Sequence, residues 1–148
     1  MKKYKVTLNK KQLATIAISL EDSARLILGQ FNLNYQRILD DVLWNLHYKE
    51  GKDNTEYYRI KNEVDNHLNE IKKLIWNNST KGIGHNKESD LMYEIYKNIL
   101  SQFEKEREEE CLKKGEKYVS NVHSGDILKL TNEEFIKIEK IDEEERKS

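Results

Sequence analysis

QLATIAISLEDSARLILGQF, residues 12 to 31, is the stretch on which the fold turns. Leu13, Ile16, Ala17, Leu20, Ala24, Ile27 and Phe31 recur at three- and four-residue spacing, the apolar stripe of an amphipathic helix. Towards its end Ala24, Leu26, Ile27 and Leu28 put apolar groups on several faces, and a helix apolar nearly all round is buried on more than one side. In so small a chain the extra partner is expected to be another subunit. Arg25 and Gly29 stand one turn apart within this run. On a helical wheel started at Leu13, Arg25 falls at about 120° and Gly29 at about 160°, while Ser23 and Gln30 fall near 280° and 260° on the opposite flank. Glycine costs up to about 1 kcal/mol in a helix interior, so its presence there predicts a close approach by backbone or ligand. Arg25 keeps its proton, and once buried it must meet either a carboxylate of its own chain or an anion from outside.

Outward from this helix the periodicity predicts a mainly α (α+β) fold of about four helices. Lys3 to Leu8, KYKVTL, alternates with Tyr4, Val6 and Leu8 on one face and reads as a short N-terminal strand. Asn9 is a good cap for the first helix. A second helix is expected from about 34 to 48, carrying Ile38, Leu39, Val42, Leu43 and Leu46. Thr55 can cap a third, which runs through Tyr58, Ile60, Val64, Leu68, Ile71, Leu74 and Ile75 and ends near Asn77. The glycine-bearing stretch NNSTKGIGHNK, 77 to 87, is a loop. A fourth helix starts around Ser89, continues through Ile95, Ile99 and Phe103 into the solvated run EKEREEE, and is closed by Gly115. The expected organisation is a helical domain over 1–115, an extended tail over 116–142 packed on that domain or on a neighbouring subunit, and a disordered end at 143–148. Within the tail, short strands around Ser124, Gly125 and Asp126 compete with a helix capped by Thr131 and Glu134; the partial alternation of FIKIEKI favours the extended form.

Composition narrows function more than it names it. The 148 residues carry 26 basic and 27 acidic side chains, a formal net charge of -1, which argues against non-specific nucleic-acid binding. No apolar run approaches the roughly 20 residues of a membrane span, so a cytoplasmic protein with no membrane contact is expected. The single cysteine, Cys111, forms no internal disulfide, and the four histidines lie apart, so no metal site is expected. Nucleophile elbow, P-loop and dinucleotide fingerprint are all missing, and Asp40 and Asp41 point about 100° apart on a helix. No cofactor is called for, and a binding protein is expected rather than an enzyme.

Candidate ligand groups are those that suit an anion and a planar ring. The Gly82–Gly84 segment ahead of a helix N-terminus offers backbone N–H groups to an anion, with Lys81, His85 and Lys87 around it; the plainer reading is a turn needing positive φ. Tyr93 and Tyr96 share one helix face and can wall a cavity that stacks a planar ligand, or simply pack.

The order of YKVTLN, DSARLILGQF, NNSTKGIG, DLMYEIYKNIL and LKLTNEEFIKIEKI resembles a group of small proteins found mostly in bacteriophages and prophages. Its pattern runs Ser-Arg, Gly-Gln-Phe, an asparagine-containing loop ending in Gly-Ile, a two-tyrosine helix and an extended tail. Here Ala24 separates Ser23 from Arg25, and NIL at the end of the tyrosine helix lacks the group's basic residue. The resemblance implies a homo-oligomeric "sponge" that captures a nucleotide second messenger of host anti-phage systems such as Thoeris, a cyclic ADP-ribose variant or a cyclic oligonucleotide, in the host cytoplasm. Under it Arg25 would bind phosphate, Tyr93 or Tyr96 would stack a base or ribose, and Gln30, Asn78 and Ser79 would give polar specificity, with Ser23, Gly82 and His85 beside them. The alternatives are a module binding a host or phage protein, and a small nucleotide hydrolase.

Overall fold

The computed structural model describes residues 4–31, 35, 41, 55–77, 79–120 and 127–141. These are mainly helical, with α1 over Lys10–Ile27, α2 over Thr55–Trp76 and α3 over Lys87–Lys114. None of these helices is long and apolar enough to cross a membrane. Of the helix expected from 34 to 48 only Tyr35 and Asp41 are described, both helical, and the strands expected around 124–126 lie outside the described residues, as do 143–148.

The chain divides into two compact units, Met1–Glu21 with Leu91–Ser148, and Asp22–Asp90. In the first, Ala17, Glu94, Ile99 and Ser101 are buried; in the second, Ala24, Leu28, Phe31, Leu68, Ser89 and Asp90 are. Ala17 and Ala24, two turns apart, mark the centre of the α1 stripe. Leu26, by contrast, is exposed, so the far end of α1 is not buried all round.

Side chains cap the starts of α1 and α3, and backbone bonds close their ends. Asn9 and Gln12 cap α1 reciprocally: the Gln12 N–H donates to Asn9 Oδ1 at 2.8 Å and the Asn9 N–H to Gln12 Oε1 at 2.9 Å. At α3, Asn86 Oδ1 accepts from the N–H groups of Glu88 and Ser89 at 2.9 and 3.0 Å. All three helices stop at a left-handed residue: Gly29 (φ 73°), Asn77 (φ 48°) and Gly115 (φ 70°). After α1 the Gly29 N–H donates to Leu26 O and the Gln30 N–H to Arg25 O, and after α3 the Gly115 and Glu116 N–H groups reach Leu112 O and Cys111 O. Both are the paired closing bonds of a Schellman cap.

Two expectations fail here. Gly29 is not a helix-interior residue; it is the cap that ends α1 at Ile27, four residues before the apolar run gives out. The N-terminal strand is not formed: among the described residues 4–9 lie in no ladder, and Tyr4 and Val6 are 84% and 71% exposed. Alternation makes a strand only where a partner edge exists.

Candidate functional site

The end of α1 is sealed by a residue 49 positions away. Trp76 Nε1 donates to Ile27 O at 3.3 Å, satisfying one of the carbonyls a helix end leaves open. Its ring meets the edge of Phe31 at 4.8 Å between centroids and 84° between planes. A Cβ on Gly29 would sit 3.1 Å from Trp76 Cγ. The close approach predicted at Gly29 is therefore real, and what approaches is an indole of the same chain.

Arg25 belongs to this cap. Its guanidinium donates from Nη1 to Gln30 Oε1 at 3.2 Å, and Gln30 Nε2 donates in turn to Lys81 O at 3.1 Å. The Lys81 N–H closes the loop by donating to Leu28 O at 3.1 Å. Arg25 and Gln30, placed on opposite flanks by the wheel, are thus direct partners, because the left-handed turn at Gly29 swings Gln30 back over the last turn of α1. A wheel assumes that the helix continues, and this one stops two residues before Gly29.

The glycine loop is only partly open. The Gly84 N–H donates to Asp90 Oδ1 at 2.8 Å, so the chain's own buried carboxylate takes that amide. Gly84 carries the positive φ, 92°, while Gly82 does not. Gly82 and His85 are exposed, with nothing within 4 Å of a Cβ built on Gly82. Ser79 is spent on capping α2: its N–H and its hydroxyl donate to Trp76 O at 3.0 and 2.8 Å. Ser23 is exposed, and Asn78 lies outside the described residues. Tyr93 and Tyr96 belong to the other unit, where their rings pack edge to face at 5.6 Å.

Sequence reasoning passed over a buried, multiply bonded carboxylate among the described residues. Glu94, on α3 and 2% exposed, holds one segment of the tail with both carboxylate oxygens. Lys129 Nζ donates to Oε1 at 2.7 Å. The N–H groups of Leu130 and Thr131 donate to Oε2 at 2.9 and 2.8 Å, and the Thr131 hydroxyl at 3.1 Å. Burial is the largest influence and pushes the carboxyl up. The Lys129 ammonium and the Leu130 and Thr131 donors together outweigh it and hold Glu94 at about 2, below its ordinary 4.5.

The Lys129 ammonium also lies 4.5 Å from the centre of the Phe135 ring and donates to Glu133 O. Asn98 Nδ2 donates to Ile136 O at 3.3 Å. Between α3 and the tail remains a cavity of about 150 Å³, lined by Leu91, Glu94, Ile95 and Asn98 on one side and Glu133 to Ile136 on the other. The helix weighed from Thr131 does not form: its hydroxyl donates to Glu94 and accepts from the Glu133 N–H at 3.2 Å, and 134–141 contain no helix. A lone glutamate in a glutamate-rich helix gives no sign of such a role, since all its partners lie 35 to 37 residues away.

Comparison with known protein families, with curated proteins and with solved structures finds no match.

Proposed function

We propose that the protein is a non-enzymatic binder that sequesters a nucleotide-derived signal, with its phosphate recognised at the cap of α1 and the adjoining loop. The observation that carries this reading is the bonded run from Arg25 through Gln30 to Lys81 O. It fixes a half-buried guanidinium beside a loop whose Gly82 and His85 are open to approach. A planar guanidinium held by its neighbour loses little freedom on meeting phosphate, and bidentate contact with oxygen suits its geometry. Gln30 supplies a polar group for specificity. Tyr93 and Tyr96, in the other unit, are left out of the proposed site, and Ser79 is committed to its helix cap.

The phage-protein resemblance supplies the biological setting: a small protein that removes a cyclic ADP-ribose variant or cyclic oligonucleotide by stoichiometric capture and so blunts a host defence. Capture without turnover requires a Kd below the signal's working concentration and binding sites at least as numerous as the signal.

Calorimetry with a panel of cyclic ADP-ribose isomers and cyclic dinucleotides tests the reading. The expected result is saturable binding to at least one member, lost in Arg25→Ala at unchanged helicity, with ligand recovered intact after heat release. Absence of binding across the panel overturns it; recovery of ligand fragments replaces it with a hydrolase.

A further inference from the structure

The tail is tied to α3 at two points one helical turn apart. The Thr131 N–H and hydroxyl donate to Glu94 Oε2 at 2.8 and 3.1 Å, and Ile136 O accepts from Asn98 Nδ2 at 3.3 Å. Glu94 and Asn98 stand about 6 Å apart along the helix axis, whereas the chain from Thr131 to Ile136 can span roughly 17 Å. The excess length bows out through the bend at 131–133, and the space left against α3 is the cavity of about 150 Å³. All of its walls belong to one compact unit.

Leu91, Ile95, Phe135 and Ile136 give the cavity its apolar surface. Two acceptors among its lining residues are only partly used. A carboxylate offers about four acceptor positions. Glu94 Oε2 takes three donors, but Oε1 takes only Lys129 among the described residues, although the side chain is buried. Asn98 spends Nδ2 on Ile136 O, and its Oδ1 takes no donor among the described residues. Glu133 and Glu134 complete the lining, which contains no basic side chain. Lys129, bonded to Glu94 and lying over Phe135, offsets one of the three carboxylates.

We propose that this cavity binds a small primary ammonium carrying a compact hydrocarbon group. A void of this size takes a molecule of about six heavy atoms. The hydrocarbon lies against Leu91, Ile95 and Ile136. The ammonium donates to Glu94 Oε1 and Asn98 Oδ1, with the Phe135 ring beside it. An anion would meet the carboxylates, and a neutral alcohol brings a single donor to two acceptors. This site is separate from the phosphate site proposed at the cap of α1, whose residues belong to the other unit.

The test uses the full chain at neutral pH with probes of like shape: cyclopentylamine, cyclopentanol and cyclopentanecarboxylate. Proton–nitrogen NMR should show amide shifts at Ile95, Asn98 and Phe135 that saturate with the amine, and Overhauser contacts from its ring to Ile95 and Phe135. Cyclopentanol should bind on the order of tenfold more weakly, because hydrogen bonds from a charged donor are about twice as strong, and the carboxylate should not bind. Ile95→Phe fills the cavity from its helix wall and should abolish amine binding at unchanged helicity. The probe comparison on the wild type decides the matter even where that variant folds poorly. No saturable shift with the amine, equal binding of cyclopentanol, ring contacts away from these residues, or binding that survives in a folded Ile95→Phe each overturns the proposal.

Discussion

The indole of Trp76 lies tight against the position a Cβ on residue 29 would take. Gly29 is left-handed at φ 73° and a Cβ there would lie 3.1 Å from Trp76 Cγ, so the backbone favours glycine and any side chain must push the ring back by a few tenths of an ångström. Gly29→Ala should destabilise the protein by about 2–3 kcal/mol, combining the left-handed strain with displacement of the ring. In a Trp76→Ala background the same substitution should cost only the backbone part, about 1–2 kcal/mol. Urea denaturation of the four proteins in this cycle measures the coupling; simple additivity would rule out the ring contact.

Glu94 sets the acid limb of stability. Its carboxyl sits at about 2 in the fold against an ordinary 4.5, so the unfolded chain binds the proton more readily. The stabilisation is complete above about pH 5 and is lost as pH falls towards 2. Its size follows from the shift, about 3 kcal/mol. The difference in unfolding free energy between the wild type and Glu94→Gln, followed from pH 7 to pH 2, should shrink as pH falls. A pH-independent difference would remove Glu94 from this role.

Lys129→Met keeps much of the stem's bulk against Phe135 but withdraws the ammonium from Glu94 Oε1. Carbon-detected NMR should then place the Glu94 titration above its wild-type position. Stability at pH 7 should fall by about 1–2 kcal/mol, less than for a fully buried pair because the lysine is partly exposed. An unmoved Glu94 titration would show that the backbone donors of Leu130 and Thr131 suffice alone.

Asn86→Ala should cost about 1 kcal/mol by leaving the Glu88 and Ser89 N–H groups without their shared acceptor. Asn86→Asp should restore most of it. Thermal melts followed by circular dichroism decide this, and an unaffected Asn86→Ala would mean that water or a neighbour replaces the cap.

What was legible in the sequence follows the range of the interactions involved. Asn9, Asn77 and Gly115 act within a few residues of themselves, and their positions as helix boundaries could be read directly. Gly29 was misread because the apolar run continues to Phe31, and periodicity does not report where the chain turns left-handed. Ala17 and Ala24 were correctly placed in the core. Trp76 over Gly29 and Glu94 beneath the tail were invisible, since their partners lie 47 and 35 to 37 residues away and carry no local pattern. The alternation in KYKVTL is real but does not by itself make a strand: a strand is a relation between two segments, and one segment shows only half of it.

The order of synthesis gives the Glu94 clamp a further meaning. The unit Asp22–Asp90 is contiguous, whereas its companion joins Met1–Glu21 to Leu91–Ser148. At roughly 5–20 residues per second, Lys129 is made roughly 2–7 seconds after Glu94. Throughout that interval the nascent α3 carries a carboxylate whose donors do not yet exist. The contiguous unit has all its residues once Asp90 is made, and the split one waits at least until Lys129 follows.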